Sequence, residues 1–308
     1  MKEYLGLGAV LLGVLAAFGL LTDHFLTLAT LRTVAHQIPT AVVLATGMTL
    51  VLITGGIDLS VGAVLALSGA VFGACLASLH APLGVALAAC VATGLACGCA
   101  NGLVIVRWRV PAFIVTLGMM EVARGLAYAA THSQTRYLGA SVDHLTESLA
   151  FGVSPSILLA ALAVAVSHVL LTCSVLGRHL VAIGTNEEAV RLSGIDTRWP
   201  TFAVYALAGL CAALGAVLHS ARLGASDPNA GAGYELHAIA AAVIGGTSLM
   251  GGRGSVVHTL FGVVIIAVLA TGLAQAGAQE PTKRLITGCV IVAAAIFDAY
   301  RHRPAARV

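Results

Sequence analysis

Charge is what this sequence has least of. Of its 308 residues, 9% are Asp, Glu, Lys or Arg, against about 25% in soluble domains. So few charges cannot cover a surface that faces water, which excludes a soluble globular fold. The net charge of +3 is small and no basic face gathers it, so nucleic-acid binding has no electrostatic basis. Aromatic residues are scarce at 5%. C-x-x-C is absent: Cys75, Cys90, Cys97, Cys99, Cys173, Cys211 and Cys289 all stand in apolar stretches and read as small buried hydrophobes rather than disulfide partners or metal ligands. H-E-x-x-H and G-x-S-x-G are missing, and no acidic pair has metal-binding spacing, which leaves an intramembrane enzyme without machinery. His168, His219 and His258 occur singly in apolar runs and read as packed, hydrogen-bonded residues. There is no G-x-x-x-x-G-K-[ST] loop to cradle ATP phosphates.

What is present is apolar length. Hydrophobic residues make up 59% of the chain and mean hydropathy is +0.98. The 35 glycines suit helices that pack closely in a bilayer. A spanning helix needs about 20 apolar residues. From Leu59 to Val106 no Asp, Glu, Lys or Arg occurs, and His80-Ala81-Pro82 divides that run in two. Spans are predicted near 4–21, 38–54, 61–79, 84–106, 111–130, 156–175, 200–219, 235–250, 255–274 and 285–299. The expected fold is therefore all-α, a polytopic membrane protein of about ten transmembrane helices, some interrupted by glycine. The first apolar run is read as a retained span. No linker divides the chain, so residues 1–308 are expected to form one transmembrane domain.

Basic residues set the orientation. With both termini in the cytoplasm, Lys2, Arg107, Arg109, Arg178, Arg191, Arg198, Arg253, Arg301, Arg303 and Arg307 fall inside. Arg32, Arg136, Arg222, Lys283 and Arg284 fall outside, and Arg124 lies within a span. The largest outer loop runs from about Thr131 to Pro155. The largest inner loop occupies about 177–199 and carries start and stop signals for a short helix. Thr185-Asn186-Glu187-Glu188 fits a capping box, with the Thr185 hydroxyl on the first turn and Glu188 reaching back. Glu187 and Arg191 are spaced to pair, Ala189, Val190 and Leu192 give an apolar side, and Gly194 suits the left-handed stop. Two turns of helix are marginal alone in water. The segment either packs on its own membrane domain or the headgroups, or docks a cytoplasmic motor subunit.

Two glycine-rich breaks interrupt the apolar runs. In Thr54-Gly55-Gly56-Ile57-Asp58-Leu59-Ser60, Asp58 or Ser60 can cap the helix that follows. The segment is either a capped hairpin or an interrupted helix lining a route for a polar solute. The second break, residues 245–254, has a similar composition. Glu121 and Arg124 stand midway along the fifth span on one helix face, where ionisable groups cost roughly 2.5–3.5 kcal/mol each. A structural ion pair and a substrate contact are equally open to them. Asp227, Asn229, Tyr234, Glu235 and His237 cluster on the outer side, suited to a hydroxyl-rich solute or to a docked binding protein.

Four stretches carry a resemblance: GMTLVLITGGIDLSVGAVLALSGA at 47–70, VPAFIVTLGMMEVARGLAY at 110–128, HLVAIGTNEEAVRLSGI at 179–195 and GAGYELHAIAAAVIGGTSLMGGRGSVVHTLFG at 231–262. They resemble the permease subunits of bacterial ribose-type ABC sugar importers, from about Ala41 to Tyr300. The family has a small polar residue where Glu121 stands and commonly Asp where His237 stands. The resemblance implies a non-catalytic subunit in the bacterial inner membrane that pairs with a second permease copy, identical or related. It implies a cytoplasmic ABC ATPase that binds ATP and Mg, and an external sugar-binding protein that delivers a ribose-like pentose, hexose or related polyol. Lipid is the remaining partner, and this chain itself needs no cofactor. The segment 179–195 would be the coupling helix. An ion-gradient-driven transporter is the alternative. It needs intramembrane acids, for which Glu121 is the candidate, and it leaves the loop helix without a role.

Overall fold

The computed structural model describes residues 2–22, 24–147 and 154–301, and most of them are helical. The elements are α1 (Lys2–Leu21), α2 (Leu28–Ile53), α3 (Val61–Gly73, continued by one π-turn over Ala74–Ser78), α4 (Leu83–Trp108) and α5 (Ala112–Thr131). Next come β1 (Arg136–Tyr137), a 3-10 segment (Gly139–Leu145), α6 (Pro155–Cys173), α7 (Val175–Leu192) and α8 (Arg198–Leu223). The chain ends with β2 (Ala225–Ser226), α9 (Tyr234–Ile244), α10 (Val256–Gln275) and α11 (Glu280–Arg301). Seven of these, α2, α3 with its extension, α4, α5, α6, α8 and α10, are long and apolar enough to cross a membrane. Arg303, Arg307 and residues 148–153 of the predicted outer loop lie outside the described residues.

Glycine decides which helices touch. On α4, Gly94, Gly98 and Gly102 stand four apart on one buried face with Cys90. A side chain on Gly94 would strike the Gly209 carbonyl of α8, and one on Gly98 would strike that of Tyr205. The two backbones therefore meet directly, as small residues allow inside a bilayer. Gly47 of α2 packs in the same way on Ala208 and Cys211. The helices α2, α3 and α8 form the interior, with 78% of the α2 span buried, while α5 and α6 lie outside with 17%.

Three expectations change. The second span begins at Leu28 rather than residue 38, because Arg32 and His36 sit in its first turns, where charged and polar groups reach the headgroups. The predicted span 235–250 is not a spanning helix. α9 has 11 residues, a rise of about 16 Å against a hydrocarbon core of about 30 Å. It begins where the backbones of Gly231 and Gly62 touch, at the first turn of α3. The segment 245–255 covers the remaining distance as irregular chain and reaches the end of α2, where Gly252 N–H donates to Ile53 O at 2.8 Å. Finally, Cys173 and Cys289 are exposed rather than buried, since each lies on a helix flank that no other described helix covers.

Candidate functional site

Both glycine-rich breaks start the same way. At the end of α2, Gly55 adopts φ +79°, its N–H donates to Leu52 O, and Gly56 N–H donates to Val51 O. At the end of α9, Gly246 adopts φ +83°, its N–H donates to Val243 O, and Thr247 N–H donates to Ala242 O. Each is a left-handed glycine stop that satisfies the last carbonyls of its helix.

Asp58 is 1% exposed. It does not cap α3 in the predicted manner: its Oδ1 accepts from Ser60 N–H at 2.8 Å and from Ser60 Oγ at 2.6 Å. Ser60 occupies the cap position of α3 without a side-chain capping bond, its backbone lying in the helical region (φ −85°, ψ −14°) rather than the extended one a capping side chain needs. Asn101 Nδ2 of α4 donates to Ser60 Oγ at 3.0 Å. Thr116 of α5 accepts from Leu59 N–H and donates to Ile57 O, both at 3.2 Å. The break is thus a polar stretch of chain held from two sides and, at Asp58 and Ser60, buried inside the bundle, the condition under which irregular backbone survives in a membrane. Asn101 and Thr116 were missed in the sequence. Their signal was a lone amide and a lone hydroxyl in otherwise apolar runs.

Glu121 and Arg124 do not pair. Arg124 Nη1 turns inward and donates to Pro228 O at 2.6 Å and Ala230 O at 2.8 Å, which fastens the segment 227–233 across α5. Both carbonyl oxygens accept from the ionised guanidinium, and Glu121 stays on the exposed flank. Glu121 is exposed, as are its neighbours Gly118 and Gly125 along that flank. Near the end of α5, Tyr128 Oη donates to Asn229 Oδ1 at 2.7 Å, and Asn229 N–H donates to Asp227 Oδ1 at 2.8 Å. Tyr128 was also missed.

The predicted outer cluster therefore divides. Asp227 and Asn229 join Tyr128 on the exposed flank of α5. Glu235 Oε1 accepts from Gly233 N–H at 3.2 Å, and its other oxygen lies close to Gly62. Tyr234 and His237 turn away toward α2 and α10: their rings stack 6.3 Å apart, and Tyr234 Oη lies 3.5 Å from His219 Nδ1.

The loop helix is real but built differently. α7 runs unbroken to Thr185, breaks at Asn186 (φ −164°, ψ 96°) and resumes. Thr185 Oγ1 donates back to Val181 O rather than capping. The cap is Asn186, whose Oδ1 accepts from Ala189 N–H at 3.0 Å. Glu188 does not reach back. It pairs with Arg191 at 3.6 Å, while Glu187 Oε1 accepts from Thr197 Oγ1 at 2.9 Å. Gly194 ends the helix at φ +80° as expected, with its N–H on Arg191 O and Ile195 N–H on Val190 O. Val190 is buried, Ala189 is exposed and Leu192 is 81% exposed, so the apolar side splits between core and surroundings. On the same face of the bundle, Met250 is 87% exposed in the break that contacts Gly184 and Thr185 through Gly251 and Gly252.

Interrupted helices, a buried polar stretch and a braced loop helix on one face define a multi-pass membrane transport subunit. The chain belongs to the family described as branched-chain amino acid transport system permease components, whose model matches residues 30–295. It is similar to the ribose import permease protein RbsC of Escherichia coli K12, 38% identical over 94% of this chain and 91% of that protein. RbsC of Bacillus subtilis is 37% identical over 91% and 87%. The D-allose transport system permease protein AlsC of Escherichia coli K12 is 33% identical over 92% and 88%.

Proposed function

We propose that this chain is the permease subunit of an ATP-driven importer and forms, with a second permease copy, the path of a monosaccharide such as ribose, allose or a related sugar. A cytoplasmic ATPase that binds ATP and Mg supplies the work, an external binding protein delivers the sugar, and both termini lie in the cytoplasm. The observation that carries this reading is the helix 187–192. It is fixed at both ends and tied to Thr197 by Glu187, yet Leu192 projects from it uncovered. A short helix is held that rigidly where something pushes on it. Supporting it, the curated relatives are import permeases for ribose and allose. The second copy is assigned to the α5 flank of Glu121, and the hydroxyl, amide and carboxylate groups of Tyr128, Asn229 and Asp227 suit a polyol at the mouth of that flank.

The test is co-purification with the ATPase subunit of the same transporter, for wild type and Leu192→Asp. The ATPase should follow the wild type and be lost from the variant, with the variant's own folding unchanged. An ATPase retained equally by both refutes the docking assignment.

A further inference from the structure

Arg222 lies in the last turn of α8, a 26-residue helix about 39 Å long. That exceeds the hydrocarbon core, so its guanidinium stands at headgroup level. Two cavities meet at it. One, of about 310 Å³, is lined by His36, Thr40, Thr146 and Ser156 together with Arg222. The other, of about 220 Å³, has Tyr234, His237 and Arg222 at one end and the apolar side chains of Leu44, Val263 and Ile266 at the other.

Among the described residues neither cavity is lined by a carboxylate. Among the described residues no hydrogen bond or ion pair engages Arg222, and its Nε is buried with no partner. A buried guanidinium nitrogen without an acceptor is costly, so the site is built for an acceptor that comes from outside the chain. An arginine nitrogen that lacks an acceptor, with no carboxylate among the described lining residues to neutralise it, suits an anion. The apolar end of the second cavity, between α2 and α10, suits a hydrocarbon chain attached to that anion.

We propose that Arg222 holds the phosphate of an anionic phospholipid, with the headgroup in the first cavity and an acyl chain along Leu44, Val263 and Ile266 in the second. The phosphate accepts the guanidinium donors, and Arg222, the one Arg or Lys among the described residues lining either cavity, favours anionic over zwitterionic lipid. Binding a ligand to the folded form alone raises its unfolding temperature.

The full chain is purified in detergent and its thermal midpoint is measured with phosphatidylglycerol, phosphatidylcholine or inorganic phosphate. Wild type is compared with Arg222→Gln and with Ala267→Leu, which fills the apolar end where Ala267 lines the second cavity. Phosphatidylglycerol should raise the wild-type midpoint by about 3 °C, and the other two additives should not. Each variant should lose that increment, whatever its own starting midpoint. A shift that survives Arg222→Gln, or no shift with phosphatidylglycerol, overturns the site. The same shift with inorganic phosphate alone overturns the lipid.

Discussion

Gly184 of α7 and Ile53 at the end of α2 meet backbone to backbone: a side chain placed on Gly184 would overlap the Ile53 carbonyl oxygen. That same carbonyl accepts from Gly252 N–H at 2.8 Å. The residue just ahead of the loop helix is therefore clamped to the ends of both glycine-rich breaks. A push on helix 187–192 reaches Gly55 and Gly251 through rigid main chain rather than through side chains that could yield. Gly184→Ala is expected to destabilise the protein by about 1–3 kcal/mol, the usual cost of overpacking, and to lower transport per ATP hydrolysed. Gly13→Ala serves as control, since nothing lies within 4 Å of a side chain there. Thermal midpoints in detergent and a transport-to-ATPase ratio in vesicles decide it, and equal behaviour of the two variants removes the clamp.

Asn186 is the second test of that linkage. Asp caps as well as Asn, whereas Ala loses about 1 kcal/mol of helix stability. Asn186→Asp should keep coupled transport and Asn186→Ala should reduce it several-fold, while both remain in the membrane at wild-type levels. Reconstituted transport measures this. Equal loss in both variants would show that the amide itself, and not the cap, is needed.

Much of this architecture was legible in the sequence because the bilayer makes apolar length nearly sufficient to find spans. Nine of the predicted spans match a helix, and the stop at Gly194 followed from glycine's freedom at positive φ. The failures share a cause. Span 235–250 is apolar throughout, yet Gly245 and Gly246 end its helix, and composition alone cannot tell a crossing helix from a crossing loop. The capping box failed because Thr185 sits in a helix that had already begun at Val175, so its hydroxyl turned back to Val181. Helix spacing left an ion pair with Glu121 and a substrate contact equally open for Arg124, and a loop a hundred residues away supplied its acceptors instead. Such long-range choices leave no local mark.

Asp58 makes its bonds with Ser60 in a closed site, so the pattern of substitution should separate charge from hydrogen bonding. Asp58→Ala leaves the Ser60 N–H and hydroxyl without their acceptor and should cost about 2–4 kcal/mol. Asp58→Asn keeps one carbonyl oxygen and should cost about half as much. Ser60→Ala breaks the link to Asn101 as well and should resemble Asp58→Ala. Thermal unfolding in detergent ranks the three, and a neutral Asp58→Ala would show that the break is held by Thr116 and main chain alone.

Arg124 is expected to govern the segment 227–233. With its two carbonyl bonds removed by Arg124→Gln, that segment should loosen, while Arg124→Lys keeps one bond and an intermediate state. A cysteine at Asn229, in a background cleared of the seven native cysteines, should react with an impermeant maleimide about ten-fold faster in Arg124→Gln, the factor that a loss of about 1.4 kcal/mol gives. Unchanged labelling would mean that the segment is held without Arg124.

Glu121 bears on the assembly. It stands nine residues into α5, about 14 Å from its start, exposed and, among the described residues, without a hydrogen bond or ion pair. Facing lipid there would cost roughly 2.5–3.5 kcal/mol. Facing a second copy across a wet path removes that penalty, and Gly118 and Gly125, open on the same flank, allow a neighbouring helix to come close. Two consequences separate the cases. A cysteine at Gly125 should cross-link to its counterpart in membranes with a short bifunctional thiol reagent, once exposed Cys173 and Cys289 have been replaced. Glu121→Leu should cut transport at least ten-fold without raising the thermal stability of the purified chain, because the carboxylate already lies in water. A variant that becomes more stable, with no cross-link at Gly125, places this flank against lipid and moves the second copy to another helix.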